Sequence, residues 1–175
     1  MILITSSRRP TQLVRTLCND LNRTLPNSVR VNRGKMSLKQ IAMEASSQEV
    51  DRVIIVEREK GHPSKILFFT IEKEELVHFN PVIYIKGVKT QDQIGQKSRY
   101  LSGIALTVSS EEELDLLKLA SALSWLLRIK LIHNPRELQK FEASLHVSKE
   151  KIAITSPPKM SEIGPVLYLK KVVWQ

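Results

Sequence analysis

The residues best suited to chemistry stand in two short stretches, "TSSRRP" (5–10) and "VRVNRGKMS" (29–37). In the first, Ser6, Ser7, Arg8 and Arg9 precede Pro10, which the spacing predicts as the first residue of a helix. Two hydroxyls, two guanidiniums and the unpaired N–H groups of a helix start make a donor set for a phosphate. Either their placement is incidental or an anion from outside belongs there. Helix starts favour Asp or Glu, and each misplaced cation costs about 0.3–1 kcal/mol. The second stretch adds Arg30, Arg33 and Lys35. Gly34 between them is expected to adopt positive φ or to admit a close backbone. Pairing of Arg33 and Lys35 with nearby acids such as Glu44 is the alternative. Arg15 and Arg23 fall on the side of the first helix turned away from its apolar stripe.

Catalytic signals are weak by comparison. His62, His78, His133 and His146 are isolated, without the spacing of metal ligands. Cys18 borders the apolar stripe of the first helix and reads as a small core filler. Six glycines form neither a phosphate-cradling loop nor a dinucleotide fingerprint. Ser6 and Ser7 lack the glycines of a nucleophile elbow. The acidic runs at 72–75 and 111–113 read as a solvated loop and a helix start. The expectation is a protein that is not an enzyme, with no metal, no cofactor and no small-molecule substrate.

Charge is distributed unevenly. The chain of 175 residues carries a net +9. Residues 1–43 hold eight basic side chains against one acid, a net +7, whereas 44–103 balance and 104–175 carry +2. Such lopsidedness points to a polyanion footprint, with a Lys/Arg-rich surface that has no ligand as the alternative. Residues 1–67 contain no Phe, Tyr or Trp. Contacts to a phosphate–sugar backbone therefore suit this region better than stacking of bases. A single cysteine, the lack of a signal-peptide core and the lack of a membrane-length apolar run predict a cytoplasmic chain with no membrane partner.

The elements that must hold these residues follow from periodicity. Strands are expected at 2–5, 29–31, 53–57, 66–71, 82–86, 103–108, 144–147, 152–155 and 166–174. The first helix runs from Pro10 to the stop at Pro26 on the stripe Leu13, Val14, Leu17, Leu21 and Leu25. The second opens on the capping box Ser37/Gln40 and buries Leu38, Ile41, Ala42 and Ala45. The third opens on a second box, Ser110/Glu113, and closes at Arg128 and Lys130; a fourth covers 135–142. If strands 2–5 and 29–31 are parallel, the turns after them share one rim, bringing Arg8, Arg9, Arg33 and Lys35 together. "ILITSSRRPTQLVRTL" also lies over "IALTVSSEEELDLLKL" (104–119) as strand, Ser-Ser turn and amphipathic helix. This is either a duplication or a chance likeness of two ordinary units.

Residues 4–45 resemble the opening of the Brix domain: a Thr-Ser-Arg-x-Pro turn, a helix ending at Pro-Asn, and an Arg-Gly-Lys turn before a Leu-bearing helix. "DRVIIVEREKGHP" (51–63), "ASLHVSKEKIAIT" (143–155) and "SEIGPVLYLKKV" (161–172) extend the resemblance along nearly the whole chain. It implies a single α/β domain, 1–175, of two similar halves, about 1–80 and 81–175, each like the anticodon-binding domain of class II aminoacyl-tRNA synthetases. It also implies a ribosome-biogenesis factor that binds ribosomal RNA or its precursor, with a guide-RNA ribonucleoprotein or ribosomal proteins as further partners. The family's turn arginine falls on Arg8 or Arg9, its Arg-Gly-Lys on Arg33, Gly34 and Lys35, and its Glu-Ile-Gly-Pro on Glu162, Ile163, Gly164 and Pro165. The sequence departs from the family at Val166, where the family usually has Arg, and in a missing mid-domain Gly-Pro-Thr. A domain without charged tails looks like an archaeal form related to the small-subunit processome branch. A protein–protein assembly module and a tRNA-binding module remain the alternatives.

Overall fold

A computed structural model describes residues 1–96 and 100–175. The strands are β1 (Ile2–Ser6), β2 (Ser28–Arg30), β3 (Arg52–Glu59), β4 (His62–Glu72), β5 (Glu75–Lys89), β6 (Ile104–Val108), β7 (Ala143–Val147), β8 (Lys151–Ser156) and β9 (Ser161–Val173). The helices are α1 (Gln12–Thr24), α2 (Leu38–Ser47), α3 (Leu114–Leu127) and the short α4 (Pro135–Leu138). All nine strands join one sheet in the order β2-β1-β3-β4-β5-β9-β8-β7-β6.

Alternation along the strands assigns the two faces. Ile2 and Ile4 of β1 meet the α1 stripe of Val14, Leu17, Cys18 and Leu21, and the same cluster contains Leu116, Leu119, Leu123 and Leu127 of α3. Leu3 points the other way, toward Ile41 and Ala45 of α2, with Val53, Ile55 and Phe69. A smaller cluster of Ala105, Ile132 and Leu138 forms beside α4. Cys18 is buried, and burial pushes its thiol up to about 12, as expected of a core filler.

The topology repeats. β1 pairs in parallel with β2 and β3, and β4 and β5 follow antiparallel. β6 likewise pairs in parallel with β7, an isolated parallel bridge joins Leu106 to Leu131, and β8 and β9 follow antiparallel. The two series meet edge to edge at the antiparallel β5–β9 pair. β5 spans the expected junction near 80/81.

Several expected helix boundaries differ. Pro10 precedes the N-cap, Thr11, and Arg9 adopts a left-handed backbone at φ 53°, so the arginines sit in the turn before the helix instead of on its first residues. The Thr11 hydroxyl donates to the Gly61 carbonyl at 2.7 Å and does not cap α1. The Ser37/Gln40 capping box is present, but Leu38, on the first turn of α2, is 47% exposed and not buried. The N-cap of α3 is Glu113, without a side-chain bond, in place of the Ser110/Glu113 box. The carboxylates of Glu111 and Glu113 instead meet His133 and Lys149, at 2.8 and 2.9 Å. Helix α4 ends at Leu138, well short of residue 142. No helix among the described residues is long and apolar enough to cross a membrane.

Candidate nucleic-acid interface

Two hydrogen bonds place the basic turns. The parallel β1–β2 pairing sends both chains out of the sheet on the same rim, where the Thr5 hydroxyl donates to the Val31 carbonyl at 2.8 Å. The Ser7 N–H donates to the Val56 carbonyl at 2.9 Å, fixing the first turn beside β3. Arg33 then reaches back: its Nε donates to the Met36 carbonyl at 3.2 Å and its guanidinium to the Ser6 carbonyl at 3.4 Å. Gly34, at φ 53°, supplies the left-handed step in that loop.

The result is an open depression of about 530 Å³ lined by Ser7, Arg8, Arg33, Glu57 and Arg58. Among the described residues no ion pair reaches Arg8, Arg33 or Arg58; the one lining acid, Glu57, is held by Lys65 at 3.3 Å. Burial, and then the charge of Arg8, lowers the pKa of Arg33, with Glu57 acting in the opposite sense. The Ser7 hydroxyl is buried with no hydrogen-bond partner. Guanidiniums of like charge beside an unused hydroxyl are donors of the kind that suit an anion.

The predicted residues divide. Ser7, Arg8 and Arg33 line the depression, while Arg9 and Lys35 are exposed in the same two turns without lining it. Ser6 is only 6% exposed and ends β1, so its hydroxyl belongs to the sheet and not to the surface. Arg15 is exposed on α1 and donates to the Pro10 carbonyl at 3.0 Å. Arg30 bonds Asn19 Oδ1 of α1 at 2.6 Å, which turns it toward the α1 flank and away from the depression. No carboxylate pairs with Arg33 or Lys35 among the described residues, so the alternative partner, Glu44, is not used; Glu44 accepts from Gln48 instead.

Sequence reasoning missed Arg58 and Glu57. Both sit near the end of β3, about fifty residues from Arg8 in the chain, and only the β1–β3 register brings them to the rim. At Gly164 close packing excludes a side chain: a Cβ there would lie 2.5 Å from the Ile154 Cβ. Pro165 and Val166 are buried in β9, so an arginine at 166 would have to enter packed space. A larger hollow of about 760 Å³ opens between α3 and the end of β9, but it carries Glu112, Glu113 and Asp115, the wrong sign for a polyanion. No group of three or more His, Cys, Asp or Glu side chains among the described residues is placed to hold a metal.

No family model matches the chain. A curated protein of Pyrococcus horikoshii, named probable Brix domain-containing ribosomal biogenesis protein, is 33% identical over 136 residues, covering 75% of this chain and 60% of that protein. The chain spans about half the length of the curated relatives it matches. A crystal structure of a probable ribosomal biogenesis protein from Aeropyrum pernix aligns with TM-score 0.79 at 22% identity, over 99% of this chain and 98% of that one. An archaeal Imp4-like protein aligns with TM-score 0.65 at 20% identity, over 99% of both chains. At such identities the structural likeness shows the fold.

Proposed function

Because the chain belongs to the Brix-domain family of ribosome-biogenesis proteins, we propose that it works without catalysis, binding ribosomal RNA or its precursor through the rim that carries Arg8, Arg33 and Arg58. The observation behind this reading is the depression itself: three guanidiniums converge beside a partnerless hydroxyl, and the lining acid is engaged elsewhere. Phosphates are the ligand that such donors recognise. Arg9 and Lys35 extend the positive field around the rim as further phosphate contacts, and Arg15 and Arg30 extend it along the α1 flank. Binding takes place in the cytoplasm during rRNA processing and subunit assembly, with a guide-RNA ribonucleoprotein or ribosomal proteins as neighbours. The likeness of each half to an anticodon-binding domain is part of this proposal, since it relates the fold to structured RNA.

The test is equilibrium binding of ribosomal RNA fragments and of tRNA over a salt series. Ribosomal fragments preferred over tRNA, with affinity falling steeply as salt rises, is the expected outcome. Preference for tRNA would move the protein to a different RNA class. Salt-independent or absent RNA binding would leave a protein–protein assembly module.

A further inference from the structure

One cross-strand row runs out of the basic depression and across the sheet. Glu57 of β3 lies opposite Lys65 of β4, Lys65 opposite Tyr84 of β5, and Tyr84 opposite Lys171 of β9. Alternation places the row on the α2 face: Ile54, Val56, Ile66 and Ile83 point into the α1–α3 core, while Val53 and Ile55 meet α2. Lys171 is exposed, and Lys65, Tyr84 and Tyr168 are each partly exposed. One step along, Tyr168 lies opposite Gly87, with its Cδ2 3.9 Å from where a Gly87 Cβ would stand.

Two lysines flank Tyr84. The ammonium of Lys171 is 4.7 Å from the ring centroid and that of Lys65 is 5.5 Å away. Each cation over such a partly exposed ring is worth about 0.5–1 kcal/mol. A nucleobase stacked on the ring is worth about 1–3 kcal/mol, and its phosphates would engage the displaced ammoniums in turn. The exchange favours the nucleotide. An A-form duplex cannot make it, because its base faces are already stacked.

We propose that Tyr84 and Tyr168, flanked by Lys65 and Lys171, form a stacking platform for single-stranded RNA whose backbone enters from the Arg8–Arg33–Arg58 depression. This rests on the RNA-binding reading above and adds base contacts to a rim that offers only phosphate contacts. Continuity is supplied by Glu57, which lines the depression and holds Lys65 at 3.3 Å.

The experiment measures binding of the full chain to a single-stranded oligouridylate of about 12 nucleotides, within the site sizes usual for such platforms, and to a blunt RNA duplex of the same length. Tyr84→Ala is expected to weaken single-strand binding about fivefold or more, the loss equivalent to one stacked base. Tyr84→Phe should retain that binding, and neither change should move duplex binding. If Tyr84→Ala leaves single-strand affinity intact while Arg8→Gln with Arg58→Gln still lowers it, the platform is wrong and the depression stands. If the arginine changes have no effect while Tyr84→Ala does, the platform stands and the depression falls. Should Tyr84→Ala not fold, photocrosslinking of the unaltered chain to a 4-thiouridine oligonucleotide decides: adducts are expected at Tyr84 or Tyr168, and adducts confined to other segments overturn the proposal.

Discussion

Replacing Arg8 and Arg58 together by glutamine is the sharpest perturbation of the proposed rim. Both side chains are exposed, line the depression and have no carboxylate partner among the described residues, whereas Arg33 also braces the loop through the Met36 and Ser6 carbonyls. The double variant thus removes two charges and leaves the scaffold intact. Each phosphate contact to a single strand contributes about 0.7 to the slope of log affinity against log salt, so the slope should flatten by about 1.4. Relative to a reference near 1 M, a contact with that slope is worth about fourfold at 0.15 M, and two are worth about fourteenfold. Fluorescence anisotropy with a labelled ribosomal RNA fragment, run across salt, reads both quantities. Thermal stability should hold to within about 0.5 kcal/mol, as for surface positions without partners, and relief of the Arg8–Arg33 repulsion works in its favour. An unchanged slope and affinity, or a large fall in melting temperature, would refute the assignment.

Two further expectations concern the scaffold. Gly164→Ala drives a methyl to 2.5 Å from the Ile154 Cβ, an overpacking that should cost about 1–3 kcal/mol in urea unfolding; an unchanged midpoint would show that β8 and β9 can separate there. Burial first, and then the charge of Lys151, lowers the pKa of His146 from its ordinary 6.5, while Thr107 Oγ1 lies 3.0 Å from its Nδ1. The unfolded chain takes up that proton more readily, so the stability tied to neutral His146 is full above about pH 6.5 and is lost as pH falls through that value. The melting temperature of His146→Gln should therefore fall less than that of the unaltered chain between pH 7 and about pH 5.

Apolar alternation was enough to locate all nine strands, because each has one face against a helix layer or is buried on both. Local signals failed where side chains took distant partners. The run at 111–113 looked like a helix start, but Glu111 and Glu113 are drawn to His133 and Lys149. Thr11 took the N-cap position from the residues before Pro10 while spending its hydroxyl on Gly61. The candidate rim was half legible: Ser7, Arg8 and Arg33 sit in turns that periodicity exposes, whereas Arg58 joins them only through the pairing of β3 with β1. Arg30 shows the reverse, a charge whose strand position was read correctly and whose direction was fixed by Asn19. Tyr84 could not be placed beside Lys171, eighty-seven residues later, without the β5–β9 register.

That register has a mechanical meaning. Strands from both repeats join one sheet at β5–β9, and the Arg52 guanidinium of the first repeat stacks on Trp125, 4.0 Å away, and bonds the carbonyl ends of α3 in the second. Whatever docks across both repeats meets one continuous sheet, tied at β5–β9 and again where Arg52 grips the end of α3.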